Sequence, residues 1–248
     1  MRLAEWDKAA ADLAKASQLQ PNDEPVWRAL GDVNAELTRW HQAAAAFAKG
    51  RQLKPADIPL WSLQACAHLG GGNEEDYRKL CQQLLADFGQ TQDPYAANDL
   101  AWVCTISPGA VKDYGPVVQL AEKAVAKPPK SWAYLNTLGV VLYRAGRFQA
   151  AVERFEEGLK IHGKGGDASD WFYLAMAHQR LGHAEEARRW LDKATQWLDQ
   201  ATAKEPTGKS ARPLTWTQRV EFQRWRQEAE ALVQPPSKDA QKKSTDGG

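Results

Sequence analysis

The clearest hydrophobic pattern in the chain runs from residue 27 to residue 55, where apolar and small residues recur at helical spacing and a proline closes the run. Leu30 and Gly31 share the face of a first helix that meets a second. On that second helix Ala43, Phe47 and Gly50 recur at intervals of four and three and form one stripe. Glycine at position 31 lets the two backbones approach closely, at some cost in helix propensity. Pro55 cannot continue the hydrogen-bond ladder and so ends the pair. The pattern predicts two antiparallel helices, each burying one face on its mate and another on the next pair.

The same frame recurs along the chain. Pro21 and Pro55, Trp6 and Trp40, and Trp27 and Trp61 each stand 34 residues apart. Ala9, Leu13 and Ala16 match the second helix of an earlier pair. A third pair begins at Trp61 but is degenerate, with Gly70-Gly71-Gly72 as the turn before a helix from about Asn73 to Phe88. A fourth carries Leu100, Ala101 and Cys104 on one helix and Val117, Ala121 and Ala124 on the other, with a longer connection around Ser107-Pro108-Gly109. The fifth (Leu138, Gly139, Gly146, Phe148, Ala151, Phe155, Gly158) and sixth (Trp171, Leu174, Ala175, Gly182, Ala187, Leu191, Ala194) are again clear. Past Ala203 the period lapses through a polar loop holding Pro206, Gly208 and Pro213. A last helix is predicted over 215–233, with Trp216, Val220, Trp225, Ala229 and Leu232 along one side, and it is read as a cap on the final apolar face.

The run W-x2-L-G, A-x3-F, P, carried by Trp27, Leu30, Gly31, Ala43, Phe47 and Pro55, resembles the tetratricopeptide repeat (TPR). The resemblance implies an all-α fold, a right-handed superhelical solenoid of TPR helix pairs with a C-terminal capping helix. The expected organisation is the second helix of an incomplete TPR over 1–22 and five TPR or TPR-like pairs over 23–203, the pair at 58–90 degenerate and that at 94–129 with the longer connection. A loop and capping helix follow over 204–234, and the polar, Lys- and Gly-rich stretch 235–248 is expected to be disordered. Because the chain opens on a second helix, either it is the C-terminal part of a longer solenoid, or that helix packs on the next pair alone. Residues 77–233 also resemble a TPR block of large bacterial multidomain proteins, through Trp132-Ala133-Tyr134-Leu135-Asn136-Thr137-Leu138-Gly139 and Tyr143-Arg144-Ala145-Gly146-Arg147-Phe148 among others. In such proteins the block follows a Hanks-type serine/threonine kinase or a WD40 propeller, which implies a scaffold or regulatory segment.

Composition narrows the function. With 32 basic against 31 acidic residues there is no field to draw in nucleic acid or anionic lipid, and no apolar run is long enough to span a membrane. Neither nucleic acid nor membrane insertion is expected, and without a signal peptide the chain reads as cytoplasmic. Cys66, Cys81 and Cys104 are odd in number and form no C-x-x-C pair, so small buried thiols are expected rather than a disulfide framework or a zinc site. Gly163-Lys164-Gly165-Gly166 lacks the spacing and strand of a phosphate loop and reads as a turn. His178 and His183 have no partner that completes a metal pattern, and no nucleophile motif is present. The expectation is a protein that is not an enzyme, with no cofactor, no metal and no catalytic residue.

A TPR implies instead a peptide or partner protein held in the groove lined by the first helices. By frame the groove positions include Arg28, Asp32, Asn98, Trp102, Asn136, Arg144, Phe172, Met176 and Arg180, together with Ser62, Cys66 and Val140. Asp32, Cys66 and Val140 stand where a carboxylate clamp would need asparagine, so an EEVD-type clamp is rejected. The mixture of aromatic, Asn and Arg groups predicts a partly apolar ligand with polar or acidic contacts. Trp27, Trp61 and Trp171 share one early slot, and Trp6 and Trp40 another; both slots read as packing positions. Trp102 either anchors a bound peptide or packs under the longer connection. The alternative to a peptide-binding scaffold is a structural spacer or self-associating module, a homodimer through the bare face of the N-terminal helix.

Overall fold

A computed structural model describes residues 3–127, 131–203 and 213–233. Among them the regular structure is entirely helical, in twelve α-helices. The loop positions Pro206 and Gly208 and the stretch 235–248 lie outside the described residues. The described chain falls into two compact units, one within 1–130 plus 214–221 and the other within 131–213 plus 222–248.

The first unit holds α1 (Leu3–Leu19), α2 (Glu24–Glu36), α3 (Trp40–Leu53), α4 (Ile58–Gly70), α5 (Glu74–Phe88), α6 (Pro94–Val103) and α7 (Gly115–Val125). Here α2 pairs with α3, α4 with α5 and α6 with α7, while α1 packs on α2 as a second helix would. The second unit holds the pairs α8 (Trp132–Arg144) with α9 (Phe148–His162), and α10 (Ala168–Arg180) with α11 (Ala184–Thr202). The last helix, α12 (Trp216–Val233), contributes residues up to Glu221 to the first unit and the rest to the second.

Four of the pairs turn the corner in the same way. After α2, α4, α8 and α10 the residue at 38, 72, 146 or 182 takes a positive φ, and the next N–H reaches back to the carbonyl five residues earlier. These bonds are Arg39 to Asn34, Asn73 to His68, Arg147 to Leu142 and His183 to His178, each 2.8–2.9 Å. This six-to-one closure satisfies a carbonyl that the helix end would otherwise leave unpaired. Three of the four corners are glycine; the fourth is Thr38. The 58–90 pair, degenerate in sequence, therefore closes with the same geometry as its neighbours.

Within pairs, the glycine–phenylalanine positions interlock. A Cβ placed on Gly31 would lie 2.5 Å from Phe47 Cε1, and one on Gly139 2.7 Å from Phe155 Cε1. Both rings are fully buried. Between pairs, an indole fastens the entry loop: Trp27, Trp61 and Trp171 each donate Nε1–H to the carbonyl six residues back, on Pro21, Pro55 and Gly165, at 2.7–2.9 Å. Arg51 then covers the Trp61 ring at 4.0 Å, and Lys193 the Trp171 ring at 4.2 Å. Trp61 and Trp171 are buried. Trp27, Trp6 and Trp40 are only half-buried, so the expectation of a packing role is met fully at two of the five positions.

The longer α6–α7 connection is part of the core. Tyr77 of α5 donates its hydroxyl to the Val103 carbonyl at 2.8 Å and accepts the Ser107 N–H at 3.3 Å. Ile106, Ala110 and Val111 are buried beside it. Burial pushes the Tyr77 hydroxyl well above its ordinary pKa, so it serves as a neutral hydrogen-bond hub.

Candidate functional site

In the first unit the helices α2, α4 and α6 carry Asp32, Cys66 and Trp102, and all three meet the opening turns of α12. The Trp216 indole donates to Asp32 Oδ1 at 3.0 Å, stacks on Phe47 with centroids 5.7 Å apart, and tilts against Trp40 at 6.3 Å. Glu221 Oε1 accepts from Trp102 Nε1 at 3.1 Å and lies 4.0 Å from the Cys66 thiol. Arg219 donates to Glu36 at 2.6 Å. Burial raises the Asp32 carboxyl, with the Trp216 N–H acting against it. Burial, and then the Glu221 charge, push the Cys66 thiol well up, which leaves it neutral and unreactive.

In the second unit α8 and α10 present Arg144 and Tyr173 to the remainder of α12. Arg144 grips Glu228 with both terminal nitrogens, the Nη2–Oε2 bond being 2.8 Å, and donates to the Tyr173 hydroxyl at 2.8 Å. Only 3% of the Arg144 side chain is exposed. A forked guanidinium–carboxylate pair whose guanidinium is this deeply buried combines geometric specificity with a large penalty if the carboxylate is lost. Around it, Trp225 meets Tyr173 edge-on at 5.6 Å, and Phe222 meets Trp197 of α11 at 5.5 Å. The helix thus covers an aromatic of the last pair, as a cap would, while its opening turns lie on α2, α4 and α6.

The predicted site residues separate under this geometry. Asp32, Trp102 and Arg144 face α12, and Cys66 lies buried beside it. Arg28 is held by Glu24 at 2.9 Å and Asp57 at 2.7 Å, and lines a cleft of about 410 Å3 with Ser62, Asp99, Trp102, Thr217 and Glu221. Asn98 is half-buried and bonds Asp99 at 3.3 Å, while Arg180 is exposed. Asn136, Phe172 and Met176 are corrected: they are buried and offer a ligand no open face. The Asn136 amide is spent on Ser169 Oγ at 3.1 Å and Asp170 Oδ1 at 2.7 Å, and α10 is enclosed by α8, α9 and α11. Val140 is buried as well. The Trp102 indole N–H is directed to Glu221 of α12, and the α6–α7 connection is held by Tyr77.

Sequence reasoning overlooked Glu221 and Glu228, two of the three carboxylates of α12. They stand seven residues apart, two helical turns, beside the apolar stripe of Val220, Trp225 and Ala229. Two acids in register with an apolar face were the legible sign that this face meets donors. The three cysteines are free and buried. Among the described residues no three His, Cys, Asp or Glu side chains gather to hold a metal, and no helix is long and apolar enough to cross a membrane.

Residues 133–164, spanning α8, its glycine corner and α9, match the family model of the tetratricopeptide repeat. The chain has the TPR fold. A TPR protein from Parabacteroides merdae is similar with a TM-score of 0.57 at 13% identity, over 97% of this chain and 91% of that one. A chain of the APC/C hetero-tetramer Cut9–Hcn1 gives 0.56 at 16% identity, over 96% of this chain and 45% of that one. PilW, a type IV pilus biogenesis factor, gives 0.52 at 16%, over 82% and 90%. At these identities the likeness concerns the fold. No curated protein matches the sequence.

Proposed function

We propose that this chain is a non-catalytic protein-interaction scaffold that holds a helical segment of a partner against the first helices of its TPR pairs. The observation that carries the reading is the seating of α12, an amphipathic helix, on those helices. In each unit the contact is made by an indole, a carboxylate and aromatic rings, the mixture expected of a partner-binding face. Capture of a partner from lysate by the wild-type chain is compared with that by a Trp102→Ala/Arg144→Ala chain of unchanged circular dichroism. Loss of capture is expected, and full recovery by the folded double variant rules the face out. Within this proposal the chain is a segment of a larger, cytoplasmic bacterial signalling protein, supported by the resemblance of residues 77–233 to such blocks. Absence of a kinase or WD40 domain from its reading frame overturns that part.

A second reading, self-association, is favoured by a different observation. A groove of about 640 Å3 between α1, α2 and α3 is lined by Ala10, Ala14, Trp27, Leu30 and Ala46, and Leu19 at the end of α1 is 80% exposed. Light scattering separates the two readings, since a strict monomer at high concentration removes the second.

A further inference from the structure

We propose that Trp216–Glu221 is an internal ligand of the first unit, and that the face beneath it takes a partner helix carrying an indole, an aliphatic residue four positions on and a carboxylate at the fifth. This rests on the scaffold reading above and adds the chemistry of the segment to be bound.

The seat is built around directional donors and acceptors. Asp32 accepts the indole N–H while Phe47 stacks on the ring and Trp40 closes its side. Trp102 supplies a donor to the carboxylate, with the Cys66 thiol on the same oxygen. Five residues advance an α-helix by about 7.5 Å and turn it about 140°, so the indole and the acid bracket the aliphatic residue between them. Val220 occupies that middle position and is buried. A site that hydrogen-bonds both groups discriminates against a helix lacking either, because the half-buried Asp32 or Trp102 then loses the bond made to that group. The internal ligand does not fill the face. Alongside Thr217 and Glu221 the cleft of about 410 Å3 reaches Arg28, Ser62 and Trp102, which gives an incoming helix surface to hold before α12 leaves.

The test uses the full chain and a fluorescent synthetic peptide with the sequence of residues 213–233, read by anisotropy. In the wild-type chain the tethered copy competes at an effective concentration on the order of millimolar, so the peptide binds weakly. Trp216→Ala, and separately Glu221→Ala, weaken the tethered copy and leave the seat intact. Each is expected to bind the peptide at least tenfold tighter than wild type. Adding Trp102→Phe, which keeps a ring and removes the donor, is expected to reverse that gain. Circular dichroism and thermal melting establish that each variant is folded. Equal peptide binding by wild type and both single variants overturns the proposal, as does binding indifferent to Trp102→Phe. A wild-type dimer whose α12 exchanges between copies assigns the face to a second copy and overturns it too. If the peptide fails while the wild-type chain captures a partner that the Trp102→Ala/Arg144→Ala chain loses, the scaffold reading stands and only this inference falls.

Discussion

Thr38 is the only non-glycine residue among those described with a positive φ, at 56°, and it sits where the other three like corners use glycine. A β-branched residue in this region is strained by about 1–2 kcal/mol, whereas glycine costs about 0.5–1 kcal/mol through the unfolded chain. Thr38→Gly is therefore expected to stabilise the chain by about 0.5 kcal/mol in denaturant titration. Gly146→Ala is expected to destabilise by about 1 kcal/mol, from backbone strain alone, because a Cβ there meets nothing within 4 Å. Asp170 makes a different residue-scale case. Burial, and then the neighbouring Asp167, raise its carboxyl to about 6. With the folded value above the unfolded one, the stabilising contribution is complete below pH 4 or so and is lost as pH rises through about 6, on the order of 2–3 kcal/mol. Asp170→Asn should flatten the stability profile across that window; an unchanged slope from parallel urea titrations contradicts the assignment.

At the scale of elements, α12 is where pattern and packing part company. Its apolar stripe was readable, and the helix itself begins within a residue of the expected start. Its seat was not readable, because docking on α2, α4 and α6 depends on residues more than a hundred positions away, such as Trp102 and Asp32. Two of the ion pairs of its second half, Arg144–Glu228 and Arg226–Asp199, differ sharply in burial and so in weight. Glu228→Ala leaves Arg144 charged and enclosed, a loss of about 3 kcal/mol unless the helix lifts and lets water in. Arg226→Ala breaks a pair with Asp199 whose side chains are 33% and 62% exposed, and is expected to cost less than about 1 kcal/mol. Hydrogen exchange over residues 222–233 discriminates: at least a tenfold acceleration in the Glu228 variant and little in the other.

For the molecule as a whole, the repeats build helix pairs by local rules, and both units use the same glycine–phenylalanine interlock. The C-terminal residues are what each unit adds to that scheme. Deleting residues from 214 onward uncovers Trp40, Phe47 and Trp102 in the first unit and Tyr173 and Trp197 in the second. The shortened chain is expected to melt at lower temperature and to bind a hydrophobic dye that the full chain ignores. A truncated protein with an unchanged melting point and no dye binding contradicts the account of α12 as a packed element.

The sequence alone determined the helix pairs, since Gly31 with Phe47 and Gly139 with Phe155 are contacts between near neighbours in the chain. Nearness keeps the entropy of closure small, so local pattern is enough to specify them. Only the tertiary structure decided which first-helix residues remain available. Asn136, Phe172 and Met176 occupy frame positions like those of Asp32 and Trp102, yet α10 is enclosed by three helices and Asn136 is drawn into the Asp170 cap. Only the tertiary structure, too, laid α12 on Asp32, Trp102 and Arg144. An apolar stripe records that a helix is covered, and its partners across a long separation are chosen by shape and by the donors and acceptors waiting there.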